Sequence, residues 1–248
     1  MNEQYPVLEG AEPFYFEVGK TGILVSHGFT GTTQSMRPLG EAFAEAGYTV
    51  CGPRLAGHGT HHEDMERSSR HDWIRSIEEG YAWLKERCDT ILMTGLSMGG
   101  TLTLYMAEKH PDIKAIALIN AAIDIPSMQQ VTELQDVRFL DAIGSDIKKS
   151  GVTELAYDQT PVHSVKEILA LMEEVRSDLK KVRCPALIFV SDEDHVVPPS
   201  NAELIRDSIS SEIKDVTRLH DSYHVATLDN DQDTIISQTL AFFKEHGV

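Results

Sequence analysis

The chain has 248 residues, of which 41% are hydrophobic and 25% are charged. This length and composition are ordinary for a globular protein, and they argue against both a disordered chain and a small scaffold that depends on disulfides or metals. Acidic residues (39) outnumber basic ones (22), and the resulting net charge of −17 argues against nucleic acid as a partner, because both molecules would be anionic.

The cysteines and the apolar segments indicate the compartment. Cys51, Cys88 and Cys184 form an odd, widely spaced set that fits neither a disulfide framework nor a C-x-x-C metal site. The first ten residues hold no basic stretch followed by an apolar one, and no later apolar run reaches the ~18 residues that a membrane span needs. We therefore expect a cytoplasmic protein without stable membrane insertion, either a monomer or a homodimer.

Short β-branched apolar runs alternate with longer helical patterns along the chain. This alternation is typical of βαβ units, in which helices cover both faces of a parallel sheet. The predicted strands, in chain order, are Gly22–Ser26, Tyr48–Gly52, Thr90–Thr94, Ala115–Ile119, Ala186–Val190 and Asp215–Leu219. The predicted helices between and after them are Met36–Ala46, His71–Arg87, Met98–His110, Asn201–Ser208 and Thr234–Lys244. The pattern predicts an α/β architecture.

One segment, about residues 124–183, interrupts the alternation because it contains no convincing buried strand. It offers amphipathic pieces such as Val165–Val175, in which apolar residues recur at helical spacing. No internal repeat, low-complexity tract or linker divides the chain. We therefore predict a single domain over residues 1–248, with a small helical cap inserted at about 124–183.

The residues 95–99, GLSMG, match the pattern G-x-S-x-G directly after a predicted strand and directly before a predicted helix. A serine on such a tight turn projects its Oγ above the sheet, and small residues on both sides let the strand and the helix approach closely. The N-terminus of the following helix also favours negative charge that develops nearby. Ser97 is therefore the candidate nucleophile.

A serine hydroxyl is inert at neutral pH unless a base takes its proton, and that base needs an acid to orient it. In sites of this kind the acid and then a histidine follow the serine in the chain, each on a loop after a strand. The loop after the strand at 186–190 offers Asp192, Glu193 and Asp194, and spacing alone does not choose among them. The loop after the last predicted strand, residues 220–224, ends in a histidine.

Acyl transfer also needs hydrogen-bond donors for the negatively charged oxygen of the tetrahedral intermediate, each worth about 3 to 4 kcal/mol. One donor is expected to be the backbone amide of Met98, the residue after the candidate nucleophile. The other is expected from the turn after the first predicted strand, residues 27–31 with the sequence HGFTG. In that turn Phe29 would contribute its amide and place its ring in the pocket.

A histidine-rich stretch at residues 57–64, with the sequence GHGTHHED, contains residue types that bind zinc. It lies on a loop broken by glycine, and the helical motif H-E-x-x-H does not occur. Neither G-x-G-x-x-G after a strand nor a P-loop is present. We therefore expect neither a metal nor an organic cofactor.

Five motifs together resemble the α/β-hydrolases, specifically the bacterial (Bacillus-type) monoacylglycerol lipases and carboxylesterases: HGFTG, GHG, GLSMGG, SDEDHVVPP and SYH. The likeness continues almost end to end. It implies the α/β-hydrolase fold, a mostly parallel central sheet flanked by helices. It also implies Ser97 as nucleophile, Asp194 as acid and His224 as base. The donors that it implies for the oxyanion are the amides of Phe29 and Met98.

The resemblance further implies that Asn120 and Glu154 hold the glycerol end of a substrate. Glycerol presents hydroxyl donors, which buried amide and carboxylate oxygens would accept. The expected activity is hydrolysis of a carboxylic ester, most specifically of a monoacylglycerol, a small lipid ester. The alternatives are a broad carboxylesterase, a thioesterase or a carbon–carbon bond hydrolase on the same fold, or a non-catalytic ligand-binding protein on that fold.

Overall fold

The computed structural model describes residues 1–247, and its strands and helices alternate along most of the chain. The strands are β1 Phe14–Phe16, β2 Thr21–Ser26, β3 Thr49–Gly52, β4 Thr90–Leu96, β5 Ile113–Ile119, β6 Phe139–Asp141, β7 Gln159–Pro161, β8 Ala186–Ser191 and β9 Lys214–Leu219. The α-helices are α1 Arg37–Glu45, α2 His62–Arg67, α3 Arg70–Lys85, α4 Met98–Lys109, α5 Pro126–Gln129, α6 Val162–Asp178, α7 Ser200–Ser208 and α8 Gln232–His246. In this part of the chain no helix combines the length and the apolar character needed to cross a membrane.

The central sheet has seven strands in the order β1-β3-β2-β4-β5-β8-β9. Every neighbouring pair is parallel except β1 and β3, which run antiparallel at one edge. A buried parallel strand has apolar neighbours on both faces, which explains why β2, β4, β5 and β8 read as continuous apolar runs. The predicted fold, a mostly parallel sheet flanked by helices, is confirmed.

Helices cover both faces of this sheet and form two apolar clusters. On one face, α1 contributes Leu39 and Phe43, and α8 contributes Ile235 and Phe243. On the other face lie the apolar sides of α3, α4, α6 and α7. Because a parallel sheet is buried on both faces, polar functional side chains are expected in the loops at the carboxyl ends of its strands.

The structure adds elements that the sequence patterns did not predict. β1 has only three residues, and it pairs with β3 from Phe14 opposite Gly52 to Phe16 opposite Val50. A Cβ built on Gly52 would lie 2.2 Å from the ring of Phe14, so this glycine makes room for the edge strand. A three-residue strand offers too short an alternation to detect.

The segment between β5 and β8 divides into two parts. α6 packs against α3 and α4 and buries Ile168, Leu171 and Val175, so it belongs to the helical layer on the sheet. Residues 124–161 hold α5 and a separate antiparallel pair, β6 and β7, whose residues are mostly half-buried. In this respect the structure differs from the predicted helical cap at about 124–183: only 124–161 extends beyond the layers. That residues 1–248 form a single domain stays a prediction.

Glu108 is a buried acid on α4 that lies outside the candidate site. Neither of its carboxyl oxygens has a hydrogen-bond partner among the described residues. Burial, together with the negative charge of Asp178, raises its pKa to about 8, although Lys109 and Lys181 oppose this effect. A carboxyl group that is held protonated by burial destabilises the fold when it is forced to ionise.

We expect Glu108→Met to raise the melting temperature, and to raise it more at pH 9 than at pH 5. The pKa of Glu108 is higher in the folded than in the unfolded state, so its contribution to stability falls as the pH rises from about 4.5 through about 8. Methionine has no proton to lose and about the same helix propensity. The expected gain at pH 9 is about 1–3 kcal/mol, the usual cost of an unsatisfied buried polar group.

The measurement is thermal unfolding at both pH values, with Glu41→Met as the matched control. Glu41 is an exposed residue on α1, so its replacement removes the same charge from a solvated position. A gain for Glu108→Met that is equal at pH 5 and pH 9 would show that the ionisation of this carboxyl does not affect stability over this range.

Candidate active site

The candidate site lies at the carboxyl edge of the sheet, in the loops that follow neighbouring strands. Ser97 lies in the turn after β4, Asp194 lies in the loop after β8, and His224 lies in the loop after β9. Carboxyl ends of parallel strands share one edge, which is why residues far apart in the chain meet there.

Ser97 sits alone between the end of β4 and the start of α4, with φ 57° and ψ −119°. This left-handed backbone is strained for a residue with a side chain. The two flanking glycines are required by space: a Cβ on Gly95 would lie 2.2 Å from the carbonyl oxygen of Gly99, and a Cβ on Gly99 would lie 2.2 Å from that of Ser26. The amide of Ser97 donates to the carbonyl of Ile119 at 2.9 Å, which ties the turn to β5.

His224 and Asp194 form a buried pair. The Nδ1 of His224 lies 2.8 Å from Oδ2 of Asp194, and their side chains are 8% and 1% exposed. The other oxygen of Asp194 accepts the amides of Val196 and Val197, which fixes the carboxylate on its loop. Two oxygens of one acid are thus used, one to hold its own loop and one to hold the imidazole.

The pKa of His224 is set by opposing effects. Burial alone would lower it, but the hydrogen bond and the negative charge of Asp194 outweigh burial, and Glu154 and Asp146 add further negative charge. The net result is a pKa above the ordinary value of histidine. This environment stabilises the protonated imidazole, which is the form that a base becomes when it takes a proton.

Of the three acids that the sequence left open on the β8 loop, the structure brings Asp194 to His224. Asp192 points to the surface, where it pairs with Arg218 and His220. Glu193 is exposed. The geometry therefore favours the residue that the family resemblance implied.

The turn after β2 approaches Ser97 closely. A Cβ on Gly28 would lie 3.3 Å from the Cβ of Ser97, so the backbone at Gly28 and Phe29 passes directly beside the hydroxyl-bearing residue. Met98 is the first residue of α4, and its amide has no acceptor within the helix. The predicted oxyanion donors thus belong to the two segments next to Ser97: Met98 follows it directly, and Phe29 belongs to the turn whose Gly28 lies against it.

His27 holds this turn in place, a role that the motif HGFTG contained but that the sequence analysis did not assign. Its Nε2 accepts the amide of Leu55 at 3.1 Å, and its Nδ1 lies 2.9 Å from the carbonyl oxygen of Gly28. Burial lowers the pKa of His27 to about 4, so the ring is neutral at pH 7 and can accept with one nitrogen while it donates with the other.

Asn120 follows β5 with φ 44°, and its side chain is engaged by the protein. Its Oδ1 accepts the amide of Ser191 at 2.8 Å. Its Nδ2 donates to the Oγ of Ser191 at 2.9 Å and to the carbonyl of His224 at 2.8 Å. These contacts occupy the amide, so they favour a role in holding the loop of His224 over the predicted hydrogen bond to a substrate.

Glu154 reaches the site from the segment 124–161. A Cβ on Gly31 would lie 2.5 Å from Oε1 of Glu154, so the carboxyl group lies against the turn that carries Phe29. The residue as a whole is half-buried, yet burial raises the pKa of its carboxyl to about 7, partly offset by the nearby His224 and by a hydrogen bond to Ser35. Glu154 thus places a candidate hydrogen-bond acceptor near His224.

A cleft of about 270 Å³ lies between α5 and α6, at the end of the loop that follows β5. Its apolar wall is formed by Ile123, Ile125, Leu169 and Met172. The backbone next to this cleft is close to Ser97, because the amide of Ala122, one residue before Ile123, donates to the carbonyl of Ser97 at 3.2 Å. The cleft is also lined by four polar residues, Asp124, Gln129, Glu173 and Arg176.

The histidine-rich loop does not gather into a metal site in residues 1–247, where no three metal-ligating side chains form a suitable group. His58 is buried against His27 and Trp73. His61 instead stacks on Tyr5 with its ring centroid 4.1 Å away, and His62 packs edge-on against Phe139.

Comparison with known proteins agrees with this geometry. Residues 19–231 match the family described as serine aminopeptidase, S33. The chain is 62% identical over its full length, and over the full length of the relative, to a thermostable monoacylglycerol lipase of Bacillus sp. (strain H-257). It is 28% identical to a carboxylesterase of Bacillus subtilis (strain 168), covering 94% of this chain and 96% of the relative. A solved structure from a description of two metagenome-derived lipolytic enzymes superposes with a TM-score of 0.95 at 49% identity, covering 97% of this chain and 100% of the other.

Proposed function

Because the chain belongs to the serine aminopeptidase S33 family of α/β-hydrolases and is a carboxylic ester hydrolase, we propose that it is a monoacylglycerol lipase in which Ser97 is the nucleophile. The observation that carries the proposal is the 62% identity with a monoacylglycerol lipase over the whole of both chains. In this proposal the chemistry comes from the buried Asp194–His224 pair and from Ser97, which lie in loops at the same edge of the sheet.

In the proposed reaction His224 takes the proton of the Ser97 hydroxyl as its oxygen attacks the ester carbon. Asp194 holds the imidazole in the correct tautomer and stabilises its positive charge. The amides of Phe29 and Met98 donate to the oxygen that becomes negative. His224 then gives its proton to the departing alcohol, which leaves an acyl group on Ser97. Water, activated by the same histidine, releases the fatty acid.

The surroundings of Glu154 support a glycerol-binding role. A monoacylglycerol carries two free hydroxyl groups, and the carboxyl of Glu154 is the acceptor placed against the oxyanion turn. An acylated hydroxyl could not donate and would leave this acceptor unpaired, at a cost of about 1 to 3 kcal/mol. The substrate preference therefore favours one acyl chain over two or three.

The cleft between α5 and α6 supports the binding of the acyl chain. Ile125, Leu169 and Met172 contribute apolar side chains to its lining. Each buried CH₂ group contributes about 0.8 kcal/mol. Leu155, another apolar residue of the segment 124–161, is outside the cleft lining, and its side chain lies 3.8 Å from the position of a Cβ on Gly10.

A broad carboxylesterase remains the second candidate, favoured by the relative from Bacillus subtilis. It would use the same triad but gain nothing from Glu154. That the protein works in the cytoplasm, as a monomer or homodimer, stays a prediction.

The two candidates are separated by Glu154→Ala, assayed on a monoacylglycerol and on the nitrophenyl ester of the same acyl chain. We expect kcat/KM to fall about 10- to 100-fold more on the monoacylglycerol, because only the glycerol head uses the carboxylate. Any change in the charge around His224 affects both substrates and cancels in the ratio. Glu154→Gln keeps an acceptor oxygen and is expected to lose less of the preference.

Glu133→Ala, at an exposed position of the same segment, is the matched control. Equal losses on the two substrates, or faster turnover of a triacylglycerol than of the monoacylglycerol by the wild type, would reject the lipase in favour of the broad carboxylesterase.

A further inference from the structure

Asp146 lies outside both catalytic loops, in the segment 124–161, yet its carboxylate bridges them. Oδ2 accepts the amide of His224 at 3.1 Å and the amide of His195 at 3.2 Å. Oδ1 lies 2.8 Å from Nδ1 of His195. The backbone carbonyl of Asp146 accepts the amide of Val225 at 3.1 Å. Asp146 thus contacts both His195, the residue after Asp194, and His224.

The chain that carries Asp146 is fixed in turn by a second carboxylate. Asp229, which is 1% exposed, accepts the amides of Lys148 and Lys149 at 2.7 and 2.9 Å. The same carboxylate accepts the amide of Tyr223 at 2.9 Å. These hydrogen bonds tie the chain next to Asp146 to the residue before His224.

The backbone of His224 is held from two sides. Asp146 accepts its N–H, and Asn120 donates to its carbonyl oxygen. The imidazole is left with one strong side-chain partner, Asp194. Because a misplacement of about 1 Å can lower a rate about 100-fold, the backbone position of the base matters to the chemistry.

We propose that Asp146 is a positioning residue that sets the geometry of the Asp194–His224 pair by clamping the two loops together. The proposal rests on the proposed triad. Asp146 acts through His195 and His224, and it reaches neither the nucleophile nor a substrate. Its negative charge also acts on the imidazole through space.

The first test is the steady-state kinetics of Asp146→Ala on a nitrophenyl ester. We expect kcat to fall about 10- to 100-fold with KM changed less than about threefold, because the substitution loosens the base without touching the bound ester. Asp141→Ala is the matched control, since Asp141 is an exposed aspartate of the same segment. Its kinetics should equal those of the wild type.

The second test is the pH profile of Asp146→Asn, which keeps one acceptor oxygen and removes the charge. The charged groups that face His224 are Asp194 from the β8 loop, and Glu154 and Asp146 from the segment 124–161. Removing one negative charge lowers the pKa of His224, so the acidic limb of kcat/KM should move by a few tenths of a unit to lower pH. A purely structural contact would leave the limb in place.

If Asp146→Ala does not fold, the Asp146→Asn profile decides alone. An unmoved acidic limb, together with kcat within twofold of the wild type in every folded variant, overturns the proposal. A rise in KM at constant kcat also overturns it, because that result would place Asp146 in substrate binding. A wild type that a fluorophosphonate does not label would refute the triad itself, which is a separate outcome.

Discussion

Replacing Ser97 by Ala is expected to lower ester hydrolysis by about 10⁴-fold or more while the protein stays folded. The hydroxyl is the group that forms the acyl-enzyme in the proposed reaction, and no neighbouring side chain can replace its oxygen at the tight turn. The backbone remains in the same strained conformation, since alanine has the same Cβ as serine. The measurement is kcat/KM on a nitrophenyl ester, together with thermal unfolding.

Labelling by a fluorophosphonate gives a second readout, because only an activated serine reacts. The wild type should be labelled and Ser97→Ala should not. Ser177→Ala, at an exposed serine of α6, is the matched control and should be labelled like the wild type. His224→Ala is expected to lose a comparable amount of activity, because the members of a triad act as a unit. Retained turnover in purified, folded Ser97→Ala would refute the assignment of the nucleophile.

Asp194→Asn is expected to cost about 10⁴-fold in kcat at neutral pH. An asparagine has nearly the same shape and keeps an oxygen for the amides of Val196 and Val197, so the loop should stay in place. Its NH₂ group would face Nδ1 of His224, however, and would favour the tautomer in which Nε2 cannot accept the proton of serine. The loss of kcat would therefore report which nitrogen of the imidazole carries the proton.

Asp192→Asn provides the control, because it makes the same chemical change two residues away on the same loop. Asp192 is exposed and pairs with Arg218 and His220 at the surface, where ion pairs contribute little. We expect its kcat to stay within about twofold of the wild type. Equal damage from the two substitutions would mean that His224 is not oriented by Asp194.

The sequence patterns predicted the central strands and the large helices well, because these elements bury long apolar surfaces. The predicted strand at 115–119 is observed as Ile113–Ile119, and the amphipathic piece at 165–175 as the longer helix α6, Val162–Asp178. The patterns missed β1, β6 and β7, which have three residues each. Such strands are defined by their pairing partner and not by their own periodicity.

Only those residues of the candidate site that belong to a local sequence motif could be predicted from the sequence alone. Ser97 lies in a strand–turn–helix motif, and its strained turn is visible as G-x-S-x-G. The choice of Asp194 over Asp192 needed the family resemblance, because two acids on one loop differ only in the direction of their side chains. Asp146 follows no strand of the central sheet, and the residues that its carboxylate contacts lie 49 and 78 positions away in the chain.

Asn120 shows a different limit of sequence reasoning. The resemblance implied a contact with the substrate, whereas the side-chain contacts seen at the end of β5 are with Ser191 and His224. An amide can accept and donate at once, and this ability is used here to join the end of β8 to the loop of His224. Only the positions of Ser191 and His224 in three dimensions reveal that use.

Three non-glycine residues at the carboxyl edge of the central sheet have a positive φ angle: Thr30 with φ 62°, Ser97 with φ 57° and Asn120 with φ 44°. Each such conformation costs on the order of 1–3 kcal/mol and is retained only because surrounding contacts impose it. Directed evolution for heat resistance alone would consequently be drawn to these positions, where glycine relieves the backbone. A library screened for thermal tolerance without a turnover assay would therefore select stable, inactive enzymes with substitutions in the loops that carry the candidate site.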